Sequence, residues 1–297
     1  MTSSMLSSHD LPAGPLRRLS AKAAALPLLV ALAAAGLLPQ TAQAHRSWLL
    51  PSATVVSGDG AWVTVDAAVS NDLFYFEHQP MRLGGLQVIA PDGSTAAAEN
   101  QHTGRYRSTF DVKLAQGGTY RVAVVNDNFF ASFKLAGETK RLRGTAESLR
   151  RELPAGAEGV RVSSNQSRLE TFITVGKPTQ GALQPVGRGL ELVPVTHPND
   201  HFVGDEATFS LHLDGKPAAD LKVSVVPGGI RYRDQLNEMQ RVTDKDGRFS
   251  IAWTAPGFYW INASIGGGPD GAQQQPGTLD DPVRRFSYTA TMEVPPQ

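Results

Sequence analysis

Residues 107–114 read Arg107-Ser108-Thr109-Phe110-Asp111-Val112-Lys113-Leu114. Phe110, Val112 and Leu114 alternate with polar neighbours. A period of two places those apolar side chains on one face of an extended chain and leaves the other face wet. The stretches around it share this character. Ala61-Trp62-Val63-Thr64-Val65-Asp66-Ala67-Ala68-Val69 is rich in β-branched and aromatic residues, as are 86–90, 119–125 and 170–175. Between them lie Ser57-Gly58-Asp59-Gly60, Pro91-Asp92-Gly93 and Gln116-Gly117-Gly118, where Gly supplies positive φ and Asp bonds its own backbone.

A second series of strand signals follows at 190–195, 206–213, 221–226, 237–242, 248–253, 259–265 and 285–294. Short strands at this spacing, with turns between them, predict sandwiches of two packed sheets. Residues 176–189 are rich in Gly and Pro and lack periodicity, so they read as a linker. The run 266–282 reads as a loop between the last two strands. One segment breaks the β pattern. Residues 145–153 suit a short crossover helix capped by Thr145 and stopped before Pro154.

The N-terminus has another purpose. Arg17, Arg18 and Lys22 precede an uncharged run at 23–38, and Ala42-Gln43-Ala44 follows. This is the layout of a cleavable export signal with an A-x-A cut site. The run is about 16 residues, shorter than the roughly 20 that span a bilayer. The reading is a signal peptide at 1–44, a mature chain starting at His45, a periplasmic location and no stable membrane insertion after cleavage. The chain has no cysteine, so disulfides, thiolate metal sites and lipid acylation are excluded. With 28 basic against 28 acidic residues it also lacks the basic footprint that nucleic-acid binding needs.

Cleavage after Ala44 would make His45 the first residue. An N-terminal histidine offers an α-amine and an imidazole in one chelate ring. These groups lose their protons near pH 8 and 6.5 in model compounds, so a metal displaces both at neutral pH. Nitrogen donors of this kind suit divalent copper and nickel. One more histidine would complete a T-shaped, three-nitrogen histidine brace. His78 closes the aromatic segment Phe74-Tyr75-Phe76-Glu77-His78. Strand alternation there would put Phe74, Phe76 and His78 on one side, against Tyr75 and Glu77. His102 is placed in a polar loop. These two are the candidate further ligands. His197-Pro198-Asn199-Asp200-His201 has an i, i+4 spacing that matters only on a helix, and Pro198 with Asn199 argues for a turn. His212 falls on a wet strand face. Thr243-Asp244-Lys245-Asp246-Gly247 lacks the twelfth-position Glu of a calcium loop and reads as a hairpin turn. No nucleophile elbow, H-E-x-x-H motif, P-loop or nucleotide fingerprint is present.

His45-x-x-Trp48-Leu49-Leu50-Pro51-Ser52, residues 111–126, Glu170-Thr171-Phe172-Ile173-Thr174-Val175-Gly176-Lys177-Pro178 and the ending Arg285 to Val294 together resemble the domain-of-unknown-function 4198 (DUF-4198) family. Its members are exported, and some are described as periplasmic components of nickel or cobalt uptake. Many of them carry a Gly-His pair near the second strand, where this chain has Ser70-Asn71-Asp72, so only His45 carries over. Residues 222–265, with Pro256-Gly257-Phe258-Tyr259, are similar to Ig-like modules of carboxypeptidase-regulatory or transthyretin-like type. The expectation is therefore an all-β chain of two Ig-like or transthyretin-like β-sandwich domains, 45–178 and 190–297. They are joined by a linker at 179–189 and contain one short crossover helix. The expected function is non-catalytic handling or uptake of nickel, cobalt or copper, with a metal permease or TonB-dependent receptor as partner. The alternatives are a metal-free carrier or interaction module and a copper-dependent polysaccharide oxygenase.

Overall fold

The computed structural model describes residues 45–58, 60–266 and 277–297. The expected signal segment at 1–44 and most of the expected loop at 266–282 lie outside these. Residues 44–297 form one compact unit. In chain order its first half contributes β1 (Arg46–Pro51), β2 (Val55–Val56), β3 (Ala61–Ser70), β4 (Gln79–Pro80), β5 (Leu86–Ile89), β6 (Thr95–Ala96), β7 (Ala98–Thr103), β8 (Ser108–Leu114), β9 (Gly118–Leu135), β10 (Glu138–Gly144), α1 (Ala146–Glu152) and β11 (Glu158–Val175). The second half adds β12 (Leu190–Pro194), β13 (Glu206–Leu213), β14 (Lys216–Pro217), β15 (Lys222–Pro227), β16 (Met239–Val242), β17 (Arg248–Ala252), β18 (Gly257–Ile265) and β19 (Val283–Val294).

Three sheets result. The first has the order β1-β3-β8-β7, with β4 also on β3. The second has the order β16-β15-β18-β19-β11-β9-β5-β6, with β10 on β9 and β2 on β11. The third is β12-β13-β14, with β17 on β13. The large sheet is common to both halves of the chain, because β19 runs parallel to β11 from Ser163↔Val283 to Thr171↔Thr291. Side-chain parity on β11 shows how the layers stack. Leu169, Ile173 and Val175 enter a core with Val63, Val65, Phe110 and Val112 of the first sheet. Phe172, on the opposite face, enters a core with Leu192, Phe209, Ile251 and Tyr288. The large sheet is thus the middle layer of two back-to-back sandwiches. Buried on both faces, residues 168–175 are all inaccessible, a pattern otherwise typical of parallel sheets covered by helices.

The strand 107–114 is seen as read: Phe110, Val112 and Leu114 are buried. The helix is present too. Thr145 caps it through a reciprocal bond pair with Ser148, and Leu149 is fully buried beneath it against Ala131 and Val162. One local reading needs correction. The turn at Asp244–Gly247 forms, with Asp244 accepting from the Asp246 and Arg248 amides. Its flanking strands do not make a hairpin, because β16 pairs with β15 in the large sheet and β17 with β13 in the third. Segment 176–189 is not bare. Ala182 and Leu183 are buried in a short 3-10 turn, and the Gln184 carbonyl accepts from Arg121.

Candidate functional site

The end of β3 at Ser70 is flanked on both sides. β1 pairs along one edge, Arg46 opposite Ser70; β8 runs along the other, and β4 continues there with Gln79 opposite Val69. His45 therefore precedes β1 on one side and His78 precedes β4 on the other. The two rings meet, stacked at 3.9 Å between centroids and 17° between planes. Both residues are exposed.

The loop that delivers His78 is not the strand read from its alternation. Phe74 has φ 66°, in the left-handed region, and one Glu77 carboxylate oxygen accepts from the Asn71 and Asp72 amides at 3.0 and 2.8 Å. That side chain satisfies backbone donors a ladder would have paired, and the segment turns instead. The aromatic residues still divide as alternation suggests. Phe74 and Phe76 lie against fully buried Trp48 at 5.6 and 5.4 Å, while Tyr75 lies beneath Arg231 and edge-on to Tyr232. The Trp48 indole donates to Ser70 at 2.8 Å, and Arg231 bonds Glu77 at 3.2 Å. Glu77 is thus committed to holding the loop.

Behind His45 lies a cavity of about 500 Å³, roofed by His45, Arg46 and Ser47. Its floor is the face of the large sheet that looks towards the first sheet. Beyond the apolar part of that face, the rung Asn126–Ser167–Ser287 and, next to core residue Leu169, the run Thr289–Asn262–Ser224 present polar side chains in place of apolar ones. Arg46 is anchored by a bond to the Asn71 carbonyl, and the Trp260 indole donates to Ser47. Glu238 accepts from Ser224 at the rim.

His102 is not in a loop. It stands on β7, paired with Thr109 of β8, so β8 and β3 separate it from β1. β7 is bulged at Asn100 (φ 51°) and almost wholly exposed; backbone pairing alone holds these polar residues in a strand. The structure therefore brings His45 and His78 together and leaves His102 apart. Among the described residues no three His, Cys, Asp or Glu side chains cluster as metal ligands.

His197 and His201 are buried. His197 accepts the Asn199 amide at Nδ1, and its Nε2 lies 2.9 Å from the Thr119 hydroxyl. His201 stacks on Trp253 at 5.0 Å, and neither ring nitrogen has a partner in hydrogen-bonding geometry. Burial holds both pKa values below the ordinary one; weaker effects of nearby carbonyls and acids oppose it. His212 is half-buried on β13.

The other concentration of charge was not read from the sequence. Arg168 donates to Glu170 at 3.0 Å, Arg121 lies 3.9 Å from the same oxygen, and the Tyr288 hydroxyl donates to the other at 2.9 Å. All four are buried, on the face towards the third sheet. Burial first, then the Glu170 charge, pushes the Tyr288 hydroxyl well above its ordinary pKa, so it stays a donor. Arg168 and Glu170 sit two apart in a strand, the spacing of residues that share one face. Nothing local reveals a second sheet above them.

Fold and site together define an all-β protein of stacked β-sandwiches with a histidine pair at one sheet end. The chain belongs to the family described as "Domain of unknown function (DUF4198)", which matches residues 42–267. No match is found among curated proteins. Among solved structures, the D0–D1 domain of intimin is similar at 12% identity and TM-score 0.21, covering 82% of this chain and 97% of that one. The ICAM-5 D1–D4 ectodomain fragment is similar at 14% identity and TM-score 0.20, covering 84% of this chain and about half (51%) of that one. A marsupial T cell receptor gives 10% identity and TM-score 0.17 over 76% of this chain and 69% of the other.

Proposed function

We propose that the protein is an exported, non-catalytic binder of a divalent transition metal, copper or nickel ahead of cobalt. It would serve metal handling or uptake in the periplasm. The carrying observation is the meeting of His45 and His78, 33 positions apart, at 3.9 Å. Export cleavage at Ala44 would add the His45 α-amine, giving three nitrogens from two residues. The Ala42-Gln43-Ala44 pattern after an uncharged run supports a cut at this point. Chelation by amine and ring of one residue loses less entropy than recruiting two separate side chains. Nearly parallel rings aim their in-plane lone pairs alongside each other, so binding requires one ring to turn out of the stack. Both side chains are exposed, and that rotation disturbs no packing. A metal permease or TonB-dependent receptor is the partner class this reading implies.

The test is copper titration into four proteins: the mature form starting at His45, a form with an added N-terminal Met, His45→Ala and His78→Ala. The mature form binds one copper tightly. The Met-extended form and His45→Ala lose that site to a similar degree, and His78→Ala weakens it. Equal binding by all four overturns the reading and leaves the metal-free carrier.

A further inference from the structure

Three nitrogens do not complete the tetragonal shell that divalent copper or nickel prefers. Among the described residues no carboxylate joins the histidine pair to finish it; the nearest candidate by sequence, Glu77, is committed to the Asn71 and Asp72 amides and Arg231. What does adjoin His45 is the cavity of about 500 Å³, within the range of small-molecule sites. Its floor is unusual for the inside of a sandwich. Asn126, Ser167 and Ser287 form one rung across three strands, and among the described residues no hydrogen bond ties these side chains to the protein. Strand parity aims them into the same space that His45 and Arg46 roof. A sheet face that could have continued the apolar core instead presents free hydroxyl and amide groups.

We infer that the metal is bound as a ternary complex, in which a small organic chelator of the amino-acid class occupies this cavity and supplies the remaining donors. This inference rests on the metal reading above. The charge of the cavity selects the class. Arg46 spends one nitrogen on the Asn71 carbonyl and keeps further N–H donors for a carboxylate. Glu238 at the rim supplies one negative charge. Arg168 borders the cavity, but its guanidinium is paired with Glu170 on the opposite face of the sheet. The wall thus has no net positive charge, which disfavours a polycarboxylate and suits a ligand with one carboxylate and one amine. An α-amino acid offers that pair in a five-membered chelate ring, and its other polar atoms meet the Ser167, Ser287 and Asn126 side chains.

The experiment uses the mature protein starting at His45, loaded with one equivalent of copper(II) and titrated with glycine or with citrate. The readouts are the copper d–d band and electron paramagnetic resonance with ¹⁵N-glycine. Glycine should add one to one, shift the band and contribute a labelled-nitrogen hyperfine coupling while copper stays on the protein. Citrate should strip copper without a mixed species. Ser167→Phe and Ser287→Phe fill the cavity; each should bind copper alone as the parent does but take up glycine roughly tenfold more weakly, the scale of one or two lost hydrogen bonds. Where a Phe variant fails to fold, the ¹⁵N coupling in the unaltered protein still decides. Glycine that removes copper without a coupling, or Phe variants that take up glycine as well as the parent, overturns the ternary complex and leaves the metal site standing. Failure of the unaltered mature protein to bind copper alone overturns the metal reading, and this inference with it.

Discussion

The two faces of β11 carry polar groups of opposite fate. Towards the third sheet, Arg168 and Glu170 are sealed with Arg121 and Tyr288, and the one carboxylate serves two guanidiniums and a hydroxyl. Towards the first sheet, Ser167 lies beside Asn126 and Ser287 over an open cavity, without a protein partner among the described residues. Neighbouring residues of one strand thus serve different ends. Groups paired with one another inside the protein specify how layers stack; groups left unpaired beside open space are available to a ligand. The same contrast separates the histidines. His197 and His201 are buried where charge is disfavoured, whereas His45 and His78 meet at the surface.

The largest effect tests the sealed face. Glu170→Ala leaves Arg121 and Arg168 facing each other without a counter-charge, and should cost about 3–5 kcal/mol in urea unfolding, the usual result of removing one member of a buried ion pair. Tyr288→Phe removes one hydrogen bond to a charged group and should cost about 1.5–3 kcal/mol. If Glu170→Ala costs under 1 kcal/mol, the cluster is not what orders the middle layer, and the contrast between faces collapses.

Much of this architecture was legible because strand periodicity and turn chemistry are local. Phe110, Val112 and Leu114 point inwards as their alternation demands, and the Thr145 cap and Leu149 make the helix at its expected place. The layer order was not legible. Arg168-Leu169-Glu170 alternates like a half-exposed strand, yet all three are buried, because the third sheet covering Glu170 comes from residues after 189. The His45–His78 pair was half legible. His45 stands out beside a cut site, but His78 reaches it through a loop whose path depends on the Phe74 backbone and the Glu77 side chain. His102 was misplaced because an exposed, bulged edge strand has the composition of a loop.

A medium effect separates the histidines by pH. For His197 and His201 the folded pKa lies below the ordinary value near 6.5. The unfolded chain then binds protons that the folded one does not, so stability is full above that value and falls as pH drops beneath it, until the folded pKa is reached. His201→Phe keeps the stack on Trp253 and removes two unpartnered nitrogens. It should be neutral or mildly stabilising at pH 7.5 and should flatten the loss of stability between pH 6.5 and 5, by at most about 1.4 kcal/mol per pH unit. The remaining slope reports His197. An unchanged slope would show that His201 takes up its proton in the folded protein.

The smallest effect belongs to the open face and is the sharpest check on the comparison. Ser167 is one residue from Arg168 and three from Glu170, in the middle strand of the middle layer. Position alone would predict a costly substitution. Its hydroxyl, however, meets the cavity rather than a protein partner, so Ser167→Ala gives up only a solvated group and retains the β-carbon that packs on the sheet. The expected change in unfolding free energy is within about 0.5 kcal/mol, as for a surface site, with the urea dependence unaltered because the same area is exposed on unfolding. A loss comparable to that of Tyr288→Phe would mean that Ser167 is bonded within the protein. The rung Asn126–Ser167–Ser287 would then be a structural network like the one on the other face, and the cavity would have no free polar wall to offer.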